Sequence, residues 1–126
     1  TDVDQDRLGL IGFSRGGHLA VLAGARRADF KAIVVMAAAP GGRETDSFLA
    51  EVQHISAPVL LLVADNDHVR VDHVQLIREI KGRLERAGRT VRLIVYPPYG
   101  DDGHQMFFEV GSYWRDVQGF LQEHLR

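Results

Sequence analysis

Two stretches, Ala32 to Met36 and Val59 to Val63, are apolar at every position. A strand with one wet face alternates polar and apolar residues. A strand covered on both faces does not, and that is the condition of a parallel sheet enclosed by helices. Two further apolar runs, Leu8 to Gly12 and Val91 to Tyr96, read as companion strands. Helical patterns lie between them. Arg15 to Arg27 is rich in Ala and Leu and ends in arginines, which suit the negative end of a helix dipole. Val74, Ile77, Ile80, Leu84 and Ala87 recur at steps of three and four, and Gly88 stops the pattern. Val110, Tyr113, Trp114, Val117, Phe120, Leu121 and Leu125 form a second such stripe. A shorter helix is expected from Ser47 to His54 with Asp46 as its cap. The order β-α-β-α-β-α-β-α predicts the α/β class, with a parallel sheet of about four strands flanked by helices.

A chain of 126 residues is enough for one domain and too short for two. With 45% apolar residues it can bury a core. A formal charge of -2, its signs mixed along the chain, makes nucleic acid an unexpected partner. No apolar run approaches the ~20 residues of a membrane span, so no membrane partner is expected either. Cysteine is absent, which excludes disulfides and thiolate metal sites. The opening Thr1-Asp2-Val3-Asp4 resembles neither a start methionine nor a signal peptide. No compartment is assigned, the cytoplasm being slightly favoured.

The chemistry centres on Gly12-Phe13-Ser14-Arg15-Gly16, which fits G-x-S-x-G directly after a strand and before a helix. Such a turn forces the serine into a strained backbone conformation. Gly12 and Gly16 are expected to remove side chains that would collide across it, and Gly17 to allow close packing. The backbone N–H of Arg15, at the start of the helix, is a candidate donor to an oxyanion. A serine hydroxyl is a poor nucleophile unless a base takes its proton and an acid orients that base. Candidates for both follow strands, where the crevice of an open parallel sheet lies. Asp65 and Asp67 follow the run at 59–63, and His104 follows the run at 91–96. The chain order Ser, Asp, His is that of an α/β-hydrolase.

The remaining polar residues read as structural. His68 and His73 are expected to be solvated, and His18 to be a packing or hydrogen-bonding residue of the helix. Asp65, Asp67, His68, Asp72 and His73 match no metal-ligand spacing, so neither a metal nor another cofactor is expected. Asp101 and Asp102 are expected on a solvated loop.

Val3 to Gly17 resembles the nucleophile region of dienelactone-hydrolase-like and prolyl-oligopeptidase-like α/β-hydrolases. Pro58 to Asp67 resembles their strand and acid turn, and Tyr96-Pro97 through His104 their histidine segment. Ala64 stands where a glycine is usual, Arg70-Val71 where a Val-Pro is usual, and Asp101-Asp102 is extra. The resemblance implies a serine hydrolase with Ser14 as nucleophile, His104 as base and Asp67, rather than Asp65, as acid. It implies an esterase, lactonase or peptidase acting through an acyl-enzyme, and a small-molecule ester is the expected substrate.

Such hydrolases have strands and helices ahead of the nucleophile, which supply a second oxyanion donor. The 126 residues are therefore expected to be the C-terminal half of the fold. Strand 8–12 is expected to be an open apolar edge that invites self-association. Only Ala37 to Pro58 separate the second and third strands, so no sizeable lid is expected over the site.

Overall fold

A computed structural model describes residues 3–42 and 45–126. The four expected strands form, as β1 (Leu8–Phe13), β2 (Phe30–Met36), β3 (Val59–Ala64) and β4 (Val91–Tyr96). They make one parallel sheet in the order β1-β2-β3-β4. β2 and β3 occupy the centre, and this is why their sequences carry no polar residue in the unbroken runs. Every residue of β3 is buried, as is β2 from Ala32 onward. The edge strands tolerate exposed positions, Ile11 and Gly9 in β1 and Arg92 in β4. Among the described residues β1 has a neighbour on one side only.

The helices are α1 (Arg15–Arg26), α2 (Thr45–Glu51), α3 (His73–Arg86) and α4 (Trp114–His124). α1 packs on β1 and β2, and α3 on β3 and β4. Both also touch a short 3-10 turn at Val52–His54, which places them on one face of the sheet. α4 covers the other face, where Gly9 leaves room for Leu121 and Leu125. The Tyr96 hydroxyl donates to Asp116 Oδ2 at 2.6 Å and ties β4 to α4. Burial first, then that carboxylate, pushes the Tyr96 phenol above its ordinary value, so it remains a donor at all working pH.

Two local expectations need correction. Asp46 lies inside the first turn of α2 and does not cap it, because the helix already begins at Thr45. Val110 lies outside α4 and is 75% exposed, since Gly111-Ser112 intervene before the helix starts. The C-terminal stripe that faces the core is Tyr113, Val117 and Phe120, with Leu121 and Leu125 at its margin. The segment containing His104 is a 3-10 helix over Gly103–Phe108, whose tight period left no apolar signature in so short a run. No helix among the described residues is long and apolar enough to cross a membrane.

Candidate active site

The register brings the C-terminal ends of the strands to one edge of the sheet, and the ladder continues past them. Ser14 N–H donates to the Met36 carbonyl at 2.9 Å, Ala37 N–H to Leu62 at 2.8 Å, and Asp65 N–H to Tyr96 at 2.8 Å. Three loops therefore leave the sheet side by side, each held by a backbone hydrogen bond at its first step.

Ser14 sits between β1 and α1 with φ 57° and ψ -117°. A positive φ is costly for a residue with a Cβ and persists only where the surroundings enforce it. The enforcing contact is at Gly12. A Cβ there would lie 2.1 Å from the Gly16 carbonyl oxygen, so the turn closes only around glycine. Gly16 does not have the matching role expected of it, since a Cβ at that position would point into open space. Its backbone, not its missing side chain, is what crowds Gly12. Gly17 is the second close contact, where a Cβ would fall 3.1 Å from Ala38 Cα. Gly12→Ala is accordingly expected to destabilise the fold by about 3 kcal/mol, while Gly16→Ala stays close to the parent. Denaturant midpoints of the two variants check this.

Asp67 follows β3 and is 1% exposed. Its Oδ2 lies 2.8 Å from His104 Nδ1. On the other side of the ring, His104 Nε2 lies 3.0 Å from Ser14 Oγ. The three sequence candidates thus meet in one hydrogen-bonded line. Asp65, the rival acid, points to solvent. A carboxylate accepts only, so the Nδ1–H of His104 donates to Asp67, and Nε2 is left as the acceptor facing the serine hydroxyl. The Arg15 N–H opens α1 next to Ser14, at the positive end of the helix dipole.

Several supports of this line were not legible in the sequence. Asn66, between the two aspartates, donates through Nδ2 to the carbonyls of Tyr99 and Gly100 and accepts from the Tyr99 N–H. It knits the acid loop to the histidine loop. Gly103 completes that junction, because a Cβ would fall 2.4 Å from Asn66 Oδ1. Asp102, expected to be solvated, instead accepts from the His104 N–H at 3.0 Å and caps the 3-10 helix. Phe13 packs against the His104 ring with centroids 4.9 Å apart.

His73 departs most from expectation. It is buried at the start of α3, not solvated. Its ring stacks on His104 at 4.2 Å and 21°. Its Nδ1 lies 3.0 Å from the Ala38 carbonyl and its Nε2 lies 3.9 Å from Asp67 Oδ1. His18 behaves as expected of a packing residue. It stacks on Phe48 and bonds the Ala39 carbonyl through Nδ1 at 3.2 Å. The two histidines hold consecutive carbonyls of the loop after β2, whose first residue, Ala37, also has a positive φ.

Asp67, His73 and His104 offer ligand atoms within 4.8 Å of one another. Their geometry does not suit a cation. Imidazole lone pairs lie in the ring plane, and two rings stacked face to face send them side by side instead of toward one point. The cavity over Ser14 has a volume of about 300 Å³ and is bordered by Pro40, Arg70, Val71 and Asp102. A larger cleft of about 520 Å³ between α2 and α3 shares Pro40 and Val71 with it.

A parallel sheet with a strained serine turn after one strand, and an acid and a histidine after two others, has the architecture of an α/β-hydrolase-like fold. The match to a family is equally direct. Residues 1–109 match the family model for the dienelactone hydrolase family, and the chain belongs to that family. None of the curated protein sequences matches it. Among solved structures, a proposed dienelactone hydrolase from Klebsiella pneumoniae shares 21% identity at a TM-score of 0.74, over 95% of this chain and 53% of that one. A dienelactone hydrolase from Anabaena variabilis shares 25% at a TM-score of 0.67, over 95% and 50%. The acylaminoacyl peptidase of Pyrococcus horikoshii shares 16% at a TM-score of 0.76, over 98% and 25%. The chain spans about half the length of the two dienelactone hydrolases and a quarter of the peptidase.

Proposed function

We propose that this chain carries the catalytic residues of a serine hydrolase that cleaves small carboxylic esters or lactones through an acyl-enzyme. The observation that carries the proposal is the continuous line from Ser14 Oγ through the His104 ring to Asp67, at 3.0 Å and 2.8 Å. His104 Nε2 takes the proton of Ser14 as Oγ attacks the ester carbonyl carbon. The carbonyl oxygen becomes an oxyanion and accepts from the Arg15 N–H. The intermediate collapses, the bond to the leaving oxygen breaks, and His104 returns its proton to that oxygen. Water, deprotonated by the same nitrogen, attacks the acyl carbon, the bond to Ser14 Oγ breaks as the acid leaves, and His104 returns the proton to Oγ. Asp67 keeps the His104 proton on Nδ1 and stabilises the imidazolium that forms. The family match favours an ester or lactone over an amide. A fluorophosphonate probe tests the reading: mass spectrometry should place the adduct on Ser14, and a protein that resists labelling would refute it.

The cavity of about 300 Å³ suits short acyl groups. Short-chain nitrophenyl esters are expected to be hydrolysed and long-chain ones to be poor substrates. Only the neutral imidazole accepts the serine proton, so kcat/KM should rise with pH across the range in which histidine titrates. A profile flat from acid to neutral pH would remove histidine from the role.

We also propose that this chain associates with a second copy through β1. The strand is at the edge of the sheet, its sequence is Leu8-Gly9-Leu10-Ile11-Gly12-Phe13, and Ile11 is 39% exposed. An apolar edge with unpaired backbone groups is a template for another strand. Sedimentation should find a dimer that Ile11→Lys dissociates, and a strict monomer would overturn the proposal.

A further inference from the structure

We propose that His73 is a positioning residue that shares Asp67 with His104, so that the two histidines compete for one proton. The inference rests on the reading of Ser14, His104 and Asp67 given above. It starts from a constraint on His73 alone. The Ala38 carbonyl can only accept, so His73 Nδ1 carries a hydrogen in every protonation state. Its other nitrogen, Nε2, is then a bare lone pair when the ring is neutral and an N–H when it is cationic. That nitrogen lies 3.9 Å from Asp67 Oδ1, the oxygen His104 leaves free. A neutral His73 gives Asp67 nothing there, whereas a cationic one gives it a second positive partner.

The same choice reaches His104 directly, because the rings are stacked with centroids 4.2 Å apart. Two imidazolium rings in that arrangement repel, and one buried carboxylate cannot fully neutralise both. The stacked pair, with one carboxylate between them, is therefore arranged for one positive charge rather than two. When His73 holds the proton, His104 is neutral but Asp67 is shared. When His73 is neutral, Asp67 belongs to His104 alone and stabilises the imidazolium of the transition state fully. The packing serves the same end. His73 is buried, anchored to Ala38 and laid flat on the base, so it also keeps His104 aimed at Ser14.

The ionisable groups bordering the same cavity are Asp67, His104, Arg70 and Asp102. Asp72, next to His73 on its own element, is engaged as the cap of α3 through the Gln75 N–H. From the loop after β2 the facing group is the Ala38 carbonyl, which carries no net charge. Arg70, Asp72 and Asp102 remain in any His73 variant, so a difference between variant and parent reports His73.

Side-chain ¹⁵N NMR across a pH titration tests the proposal in the absence of substrate. In the parent protein His104 is expected to titrate in two resolved steps. In His73→Phe, which keeps the stack and removes the proton site, it should titrate in one. His73→Asn, whose amide can still donate to Ala38, serves if the first variant does not fold, and it should also show one step. The acid limb of kcat/KM should follow, falling in two stages in the parent and in one stage in the variants, with KM little changed. A single-step His104 titration in the parent overturns the inference and leaves the serine hydrolase reading intact. Two steps in an enzyme that neither turns over esters nor labels at Ser14 sustains the coupling and overturns that reading instead.

Discussion

Replacing Ser14 with alanine is expected to lower ester turnover by on the order of 10⁴-fold or more and to abolish fluorophosphonate labelling. The size follows from what is lost. Among the described residues no other hydroxyl lies at the end of the line from Asp67 through His104, so the acyl-enzyme cannot form and only direct attack by water remains. The fold should survive, since the Ser14 hydroxyl holds no element in place. Stability carries a second, sharper expectation. Ser14 is held at φ 57°, a region where a Cβ is strained and glycine is not. Ser14→Ala keeps that strain, and Ser14→Gly relieves it. The glycine variant should therefore be more stable than the alanine variant by about 1 kcal/mol, although both are inactive. Thermal or denaturant unfolding measures the difference, and mass spectrometry measures labelling. Labelling of Ser14→Ala equal to the parent would exclude this residue as the nucleophile. Equal stability of the two variants would show that the turn relaxes once the serine is gone.

Asp67→Asn is expected to cost about 10⁴-fold in turnover, against a change of a few-fold at most for Asp65→Asn. The buried carboxylate of Asp67 accepts from His104 Nδ1, which leaves Nε2 free to take the serine proton. An asparagine amide can donate to Nδ1 instead. That places the ring hydrogen on Nε2, facing Ser14, where a base needs a lone pair. Asp65 is solvent-exposed, so its charge is screened and its loss leaves the line intact. Rates on one activated ester, measured for both variants, decide the matter. A crippled Asp65→Asn beside an active Asp67→Asn would move the acid by two residues along the loop.

The chain's own pattern was sufficient for the architecture. The apolar runs of β2 and β3 predicted strands buried on both faces, because only a parallel sheet between helix layers removes water from both sides. The amphipathic repeat from Val74 to Ala87 placed α3 for a similar reason: helix geometry brings every third or fourth residue to one face. Ser14 and Gly12 were legible because a sharp strand-to-helix turn restricts the residue types that fit it. His104 and Asp67 were legible as candidates because they follow strands whose ends must gather at one edge. Choosing Asp67 over Asp65 from sequence required the family resemblance, whereas burial separates the two in the fold.

Tertiary structure alone decided the rest. His73 reads in sequence as one more polar residue at a helix start, and nothing in its neighbours along the chain announces burial. Its contacts arise because α3 begins where the loops after β2 and β4 converge, which puts Ala38, Asp67 and His104 around one ring. Asn66 and Asp102 were hidden for a related reason. Their partners are either 33 and 34 residues away or are backbone groups of a 3-10 turn too short to leave a periodic signal. Gly16 was misjudged because a motif records which residues stand together, not which direction their Cα–H bonds face. Periodicity and turn chemistry are local properties that a sequence displays directly. The partners of a polar side chain depend on loops brought together across the sheet, and only the folded backbone sets those distances.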